Sequence, residues 1–141
     1  MSNPDSAALR VAYLNIVQGI VSRLANSSSV IKGASVTVLS ALLAFAGGEH
    51  VTFHAWMFLL PGAIFMCYHA YFLQQERAFV KLYNAAAAQP LSKEVSFVID
   101  AVTINAVKEA YWSVLARKSI WGFHIPMIAG FVFAFWLSPR G

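Results

Sequence analysis

Three long runs of apolar residues divide the chain. Residues 30–48 contain a single charged side chain, Lys32, and residues 51–72 and 120–137 contain no Asp, Glu, Lys or Arg. A helix rises about 1.5 Å per residue, so these runs cover roughly 27–33 Å, close to the thickness of a bilayer's hydrocarbon core. The pattern predicts three transmembrane helices.

The segments outside these runs have a different pattern. In residues 6–26 apolar side chains recur at helical spacing with polar ones on the other faces, which predicts an amphipathic helix on the membrane surface or against other cytoplasmic helices. The polar run 26–29 then predicts a break before the first span. Residues 73–119 mix apolar and charged positions, which predicts two cytoplasmic helices joined by an alanine-rich turn at residues 85–90.

Two spans carry features that suit a pore. Small or hydroxylated residues recur along one face of the first span, which favours close helix packing over a wetted face. Pro61 lies at the centre of the second span and predicts a kink. Three spans cannot enclose a water-filled path, so conduction requires a homo-oligomer. The candidate pore-lining or gating residues are Thr37, Ser40, His54, Pro61 and His69.

Composition agrees with a membrane protein. Of the 141 residues 59% are apolar and 11% are charged, which is too few charges to coat a soluble domain. We therefore predict an all-α membrane protein with one membrane domain over residues 1–141. Trp121 and Trp136 near the ends of the third span match an aromatic belt, although a re-entrant or plug-like segment would have the same pattern.

The basic residues predict the orientation. Nine of the ten Lys and Arg side chains precede or begin the first span, or lie between the second and third spans. The positive-inside rule therefore places the N-terminus and residues 73–119 in the cytoplasm. The turn at Glu49 and the tail of residues 138–141 are then expected outside.

Motifs for enzyme chemistry are absent from the sequence. It has no glycine-rich phosphate loop, no Cys and His spacing typical of a metal site, and no strand pattern that could present a nucleophile. We expect no catalytic residue, no metal and no cofactor. The carboxylates Glu76, Glu94, Asp100 and Glu109 stand close in sequence to Lys or Arg, so surface ion pairs are the expected role.

The basic residues of the central segment have three possible roles. They can enforce topology, contact anionic lipid head groups, or bind an anion such as a nucleotide or oligonucleotide. Aromatic side chains stand among them, and single-stranded nucleic acid is bound by such combinations of basic and stacking groups. The candidate ligand-binding residues are Arg77, Lys81, Tyr83, Lys93, Lys108, Trp112, Arg117 and Lys118.

Histidines support a different class of function. His54, His69 and His124 lie in or at the ends of the spans, where ionisable side chains are rare. Two imidazoles from facing helices could ligate haem, as in a haem- or quinone-binding anchor subunit of a respiratory complex. Hydrogen bonds between helices are the simpler explanation. A non-conducting scaffold that recruits a partner through residues 73–119 is a third possibility.

Several short motifs lie in order within residues 9–84: Ile16–Ala25, Lys32–Gly33, Val36–Val38, Tyr71–Arg77 and Lys81–Tyr83. Together they resemble a known group, the small bacterial transmembrane effectors of nucleotide signalling and anti-phage defence, in particular the channel subunit of Hailong-type defence systems. A departure is Ala34, where this group would be expected to have tryptophan.

The resemblance implies a homo-oligomeric, tetrameric ion channel in the bacterial inner membrane. Such a channel is held shut by a short single-stranded oligodeoxynucleotide that a partner nucleotidyltransferase makes. Loss of this DNA during phage infection opens the channel, depolarises the membrane and arrests growth. The C-terminal third matches this group in architecture only.

Overall fold

Five α-helices make up the structure, a computed structural model that describes residues 4–48, 52–90, 93 and 96–138. All regular elements within these residues are helical, and a 3-10 turn at Ala55–Phe58 leads into the second helix. The five helices are α1 (Pro4–Ala46), α2 (Leu59–Ala88), α3 (Ala101–Val107), α4 (Tyr111–Leu115) and α5 (Lys118–Leu137).

The two longest helices, α1 and α2, lie side by side and antiparallel. Near the start of α1, Tyr13 and Val17 pack in one apolar cluster with Ala86 of α2. Near the other end of α1, Leu39 packs with Phe58, which directly precedes α2. These two clusters bracket a contact that covers almost the whole of α2.

Helix α5 packs along only part of the length of the α1 and α2 pair. Ile120 clusters with Ala70 of α2, and Phe135 clusters with Leu39 and Phe58. Because α5 runs antiparallel to α2, its first residue lies near the level of residue 75. The pair continues beyond that level for about 20 Å, and we call residues 4–23 and 76–88 the two-helix extension.

Among the described residues, three helical segments are long and apolar enough to cross a membrane: α1, α2 with its preceding turn, and α5. This confirms the prediction of three helices of spanning length, and α5 extends the predicted third span by two residues. Exposed tryptophans mark both ends of the three-helix part, Trp56 and Trp136 at one end and Trp112 and Trp121 at the other. Tryptophan is enriched at membrane interfaces, so the positions of Trp121 and Trp136 at opposite ends fit the predicted belt.

The break predicted at residues 26–29 is wrong, because α1 continues through them. The hydroxyls of Ser27 and Ser29 donate to the carbonyls of Arg23 and Ala25, four residues earlier, at 3.0 and 3.3 Å. These bonds lie within the helix, so the serines do not interrupt it. The predicted amphipathic helix and the first span are one helix of 43 residues, about 65 Å long.

The kink predicted at Pro61 is also wrong. Helix α2 begins at Leu59, so Pro61 lies in its first turn, where a backbone N–H has no partner within the helix. The following residue, Gly62, is buried against α5, and an added Cβ would lie 2.5 Å from Ile128 Cδ1. Proline and glycine here begin α2 and bring it close to α5.

The prediction for residues 73–119 is only partly correct. Ala85–Ala88 continue α2 instead of forming a turn, because alanine is the strongest helix former, and the helix ends just before Pro90. The predicted second helix is divided into α3 and α4. Helix α3 begins after Asp100, whose Oδ1 accepts a hydrogen bond from the Thr103 N–H at 2.8 Å as an N-cap.

Arg10 joins the N-terminal part of α1 to the chain that leaves α2. Its guanidinium is buried and donates to the carbonyls of Gln89, Pro90 and Lys93, the last two at 2.9 Å. A cation near the end of α2 also opposes the negative end of the helix dipole. Arg10 therefore fixes the far end of the two-helix extension.

Some sequence predictions fall outside the described residues. They concern the turn at Glu49 and His50, the carboxylate of Glu94, and the tail of residues 139–141.

Replacing Arg10 by alanine should lower the free energy of unfolding by roughly 2–5 kcal/mol, because three carbonyls lose a charged donor. Lysine should restore only part of this loss, since a single ammonium cannot copy the guanidinium fork. The matched control is Arg23→Ala, because Arg23 is exposed and its Nε contacts only the Gly19 carbonyl on the same helix. Unfolding in detergent micelles measures all three variants. Equal losses for Arg10→Ala and Arg23→Ala would contradict the role of Arg10 in fixing the end of the two-helix extension.

Candidate anion-binding site

Glu109, in the connection between α3 and α4, lies at the centre of a cluster of cations. Arg77 Nε and Lys81 Nζ approach its Oε1 at 3.1 and 3.2 Å. Arg117 Nη2 approaches Oε2 at 2.7 Å. We call these four residues the Glu109 cluster. Three of the eight predicted ligand-binding residues are thus together, and three cations share one carboxylate.

The helices explain why these cations meet. Arg77 and Lys81 are four residues apart on α2, so they lie on the same face. Arg117 is the extended residue that directly precedes α5, which packs antiparallel to α2. The prediction that the carboxylates form ion pairs is confirmed for Glu109, although two of its partners are more than 25 residues away in sequence.

The three neighbouring cations stabilise the ionised form of the Glu109 carboxyl group. Hydrogen bonding to Arg117, reinforced by Lys81 and Arg77, lowers the pKa of the carboxyl from 4.5 to about 2, against a smaller opposing effect of burial. Glu109 is therefore ionised at every physiological pH. The cations around it keep two positive charges that no carboxylate in the cluster balances.

Backbone contacts hold the same connection on α2. Gln74 Nε2 donates to the Glu109 carbonyl at 2.6 Å, and Lys81 Nζ donates to the Val107 carbonyl at 3.3 Å. On α4, the Tyr111 hydroxyl donates to the Cys67 carbonyl at 3.0 Å. The main chain around Glu109 is thus fixed independently of its carboxylate.

The other five predicted ligand-binding residues do not contact the Glu109 carboxylate. Lys108 is next to Glu109 in sequence, Lys118 is next to Arg117, and Trp112 is highly exposed on α4. Tyr83 packs instead on the cluster that contains Tyr13, far along the two-helix extension.

Lys93 also lies at that end of the extension. Its side chain lines a groove of about 450 Å³ together with Gln89 and Thr103, and its carbonyl accepts from Arg10. The eight predicted residues are therefore divided between two places.

Sequence analysis missed three important residues. Arg10 was counted only as a topology charge, Gln74 had no assigned role, and Glu109 was considered only as a surface partner. Their contacts cross between distant parts of the chain, for example 79 residues for Arg10 and Gln89. No local spacing signals such contacts.

Two of the three span histidines form a pair between α2 and α5. His69 Nδ1 and His124 Nε2 are 3.1 Å apart, and both residues are buried. Two axial imidazoles on opposite faces of a haem iron have their ligating nitrogens about 4 Å apart, because each lies about 2 Å from the iron. The pair is therefore hydrogen-bonded and leaves no space for a porphyrin between the rings. His54 is exposed and lies just before the 3-10 turn at the opposite end of the bundle.

Further polar side chains lie near this pair. Lys32 Nζ is 5.6 Å from the centre of the Phe123 ring, and the buried Ser35 hydroxyl contacts the Lys32 carbonyl at 2.7 Å. His124 is six residues into α5, about 9 Å from the start of that helix. The described residues include no group of three His, Cys, Asp or Glu that could hold a metal ion.

The predicted pore-lining residues have different surroundings. Thr37 and Ser40 are exposed on α1, and Pro61 is half-buried in the first turn of α2. His69 is buried by its contact with His124. In this conformation His69 therefore faces the protein interior.

Comparisons of this chain with protein-family models, with curated proteins and with solved structures give no match.

Acid should weaken the Glu109 cluster in a defined range. The pKa of Glu109 is lowered from 4.5 to about 2 in the folded protein. Its contribution to stability is therefore complete above about pH 4.5 and is lost as the pH falls towards 2. Between these values the melting temperature of the wild type should fall more steeply than that of Glu109→Gln. Glu76→Gln is the control and should follow the wild type, and parallel curves for all three proteins would contradict the assignment.

A double-mutant cycle should detect the histidine pair. His69→Leu and His124→Leu should each cost roughly 1–3 kcal/mol, because each leaves a buried imidazole without its partner. The double variant should be more stable than the sum predicts, by roughly 0.6–1.7 kcal/mol. Unfolding in detergent measures the cycle. Strict additivity would show that the two rings do not interact.

Proposed function

We propose that the chain is the subunit of a homo-oligomeric membrane channel that is controlled by a phosphate-bearing ligand. The observation that carries this proposal is a continuous exposed stripe on α1, which we call the α1 stripe. It follows helical spacing and consists of small or polar residues: Asn26, Ser29, Gly33, Thr37, Ser40 and Ala44.

The α1 stripe is well suited to contact other copies. Gly33 has no other atoms within 4 Å of the place where a Cβ would stand, so a neighbouring helix can approach closely. The Thr37 hydroxyl donates to the Gly33 carbonyl at 3.0 Å and still leaves an acceptor exposed. Repeated around a symmetry axis, close contacts at Gly33 would hold neighbouring α1 helices together, and the hydroxyls of Thr37 and Ser40 would line the path between them.

The exposed face of α5 has the opposite character. Trp121, Ile125, Phe133 and Trp136 are all exposed and all large. Lipid solvates such side chains well. We infer that α5 faces the bilayer while α1 faces the axis of the oligomer.

The excess of positive charge in the Glu109 cluster supports an anionic ligand. The Glu109 cluster lies where α2 leaves the three-helix part, and the positive-inside rule puts that end in the cytoplasm. Three cations there exceed the charge of one carboxylate. A phosphate group of a nucleotide or single-stranded oligodeoxynucleotide has the complementary charge, and exposed Trp112 provides a ring on which a base can stack.

The biological role rests on the resemblance described above. It implies a tetramer in the bacterial inner membrane that an oligodeoxynucleotide from a partner nucleotidyltransferase keeps closed. Opening would depolarise the membrane as an anti-phage response. The α1 stripe supports the oligomeric channel in this proposal, and the Glu109 cluster supports the anionic ligand.

The alternatives receive less support. A haem-binding anchor subunit needs two free axial imidazoles, whereas His69 and His124 are bonded to each other. A non-conducting scaffold is favoured by one observation, the exposed apolar side chains Val98, Val102 and Trp112 near the two-helix extension. The scaffold gives no reason for a polar stripe along a span.

Ion flux from liposomes tests the channel. The purified wild type should form oligomers and release a trapped ion, and a short oligodeoxythymidylate should reduce the flux. Gly33→Leu should dissociate the oligomer and abolish flux, because its side chain fills the α1 stripe.

Gly130→Leu is the matched control for this experiment. Gly130 is also an exposed glycine in a span with open space around it, but it lies on α5. This variant should keep the oligomer and the flux. Wild-type oligomers that never conduct, or a Gly33→Leu protein that conducts normally, would contradict the proposal.

A further inference from the structure

The Glu109 cluster has an uneven charge balance and an uneven exposure. The side chains of Arg77, Lys81 and Arg117 are 39, 46 and 37% exposed, whereas the side chain of Glu109 is 17% exposed. The carboxylate therefore lies inside a group of cations that solution anions can reach. Surface ion pairs usually involve one cation and one anion, and this excess of cations distinguishes the cluster from ordinary pairing.

The donors converge on the two oxygens of one small anion. Arg77 and Lys81 approach one oxygen from α2, and Arg117 approaches the other from the start of α5. Arg117 Nε is buried and has no hydrogen-bond partner among the described residues. Arginine forks match phosphate oxygens as well as they match carboxylates, and a phosphate offers additional acceptors to such a donor.

The Glu109 side chain can leave without a change of the main chain. Its carbonyl is held by Gln74 and the nearby Val107 carbonyl by Lys81. Rotation about side-chain torsions moves the carboxylate into solvent, while Arg77 stays on α2 and Arg117 stays next to α5. The three cations would then surround a space that an anion from solution could occupy.

We propose that Arg77, Lys81 and Arg117 form a binding site for the phosphate group of a soluble ligand, and that the Glu109 carboxylate occupies this site when the ligand is absent. Glu109 thus acts as an internal competitor that sets the ligand affinity. This inference rests on the ligand-binding part of the proposed function and is independent of conduction. A lipid head group carries the same phosphate chemistry, so the test separates the two sources.

Binding of fluorescein-labelled tetrathymidylate to the purified protein in detergent tests the proposal. Glu109→Gln removes the competing charge but keeps an oxygen acceptor, so it should bind the probe roughly fivefold or more tightly than the wild type. Inorganic pyrophosphate should displace the probe at lower concentration from this variant. Arg117→Gln should lose most of the binding.

Two further variants serve as controls. Glu76→Gln removes the same charge from a residue next to Arg77 that takes no part in the ion pairs, so its affinity should stay within about twofold of the wild type. Glu109→Asp keeps the charge on a shorter side chain and should have an intermediate affinity. It serves as the test if Glu109→Gln does not fold, as judged by gel filtration.

The outcomes distinguish the failure of this inference from that of the proposed function. If the wild type binds tetrathymidylate and Glu109→Gln binds no more tightly, the competitor role is wrong while the proposed function stands. If no variant binds either phosphate probe, the ligand part of the proposed function fails as well. A third outcome is that Glu109→Gln does not change tetrathymidylate binding but increases association of the protein with phosphatidylglycerol nanodiscs relative to phosphatidylcholine nanodiscs. In that case the ligand is a lipid head group and the proposal of a soluble ligand is overturned.

Discussion

Helix α1 is about 65 Å long, roughly twice the thickness of a hydrocarbon core, so its N-terminal half needs contacts with another part of the chain. The antiparallel contact with α2 supplies this support. Tyr13 and Val17 pack near the end of α2, and Leu39 packs at its beginning. The contact fixes the relative level of every residue on the two helices, so the positions of α3, α4 and α5 follow from where each meets α2.

Two charged contacts depend on how the other helices are aligned along α2. A shift of α1 by one turn, about 5 Å, would carry the Arg10 guanidinium away from the carbonyls after α2. The Glu109 cluster depends in the same way on the register between α2 and α5, because Arg77 and Arg117 belong to these two elements. The His69 and His124 pair lies on the same two helices, closer to the middle of the bundle. Electrostatic and apolar contacts thus select one alignment together.

The sequence predicted the three long apolar helices well and the boundaries of the helices poorly. Charge-free runs are a strong signal, since lipid excludes ionised groups, and α5 agrees with its predicted run to within two residues. The break at residues 26–29 was predicted from the capping preference of serine, but hydroxyls can also bond to carbonyls within a helix, as Ser27 does. Pro61 was placed at the middle of a span because the 3-10 turn before α2 has no clear sequence signal.

The candidate site was predicted only in part, because local spacing determines some of its contacts and the folding of distant segments determines the others. Charge and spacing put Arg77 and Lys81 on one helix face, and that much requires only helical geometry. The position of Glu109 against them depends on how α3 and α4 fold back over α2, which a local pattern does not encode. The prediction that carboxylates pair with cations was therefore confirmed for Glu109, but two of its three partners, Arg77 and Lys81, are distant in sequence.

The positions of the two proposed sites limit how one can influence the other. The Glu109 cluster joins α2 to the start of α5, whereas the α1 stripe lies on a helix that contributes no residue to that cluster. An anion at the cluster can therefore act on α1 through the α1 and α2 contact or through α5. The Lys32 and Phe123 contact connects α1 to α5 within the bundle, one residue from His124 and one residue from Gly33. If the α1 stripe lines a pore, this polar region is one connection from the ligand site to it, and a change in the α2 and α5 register would reach the pore there.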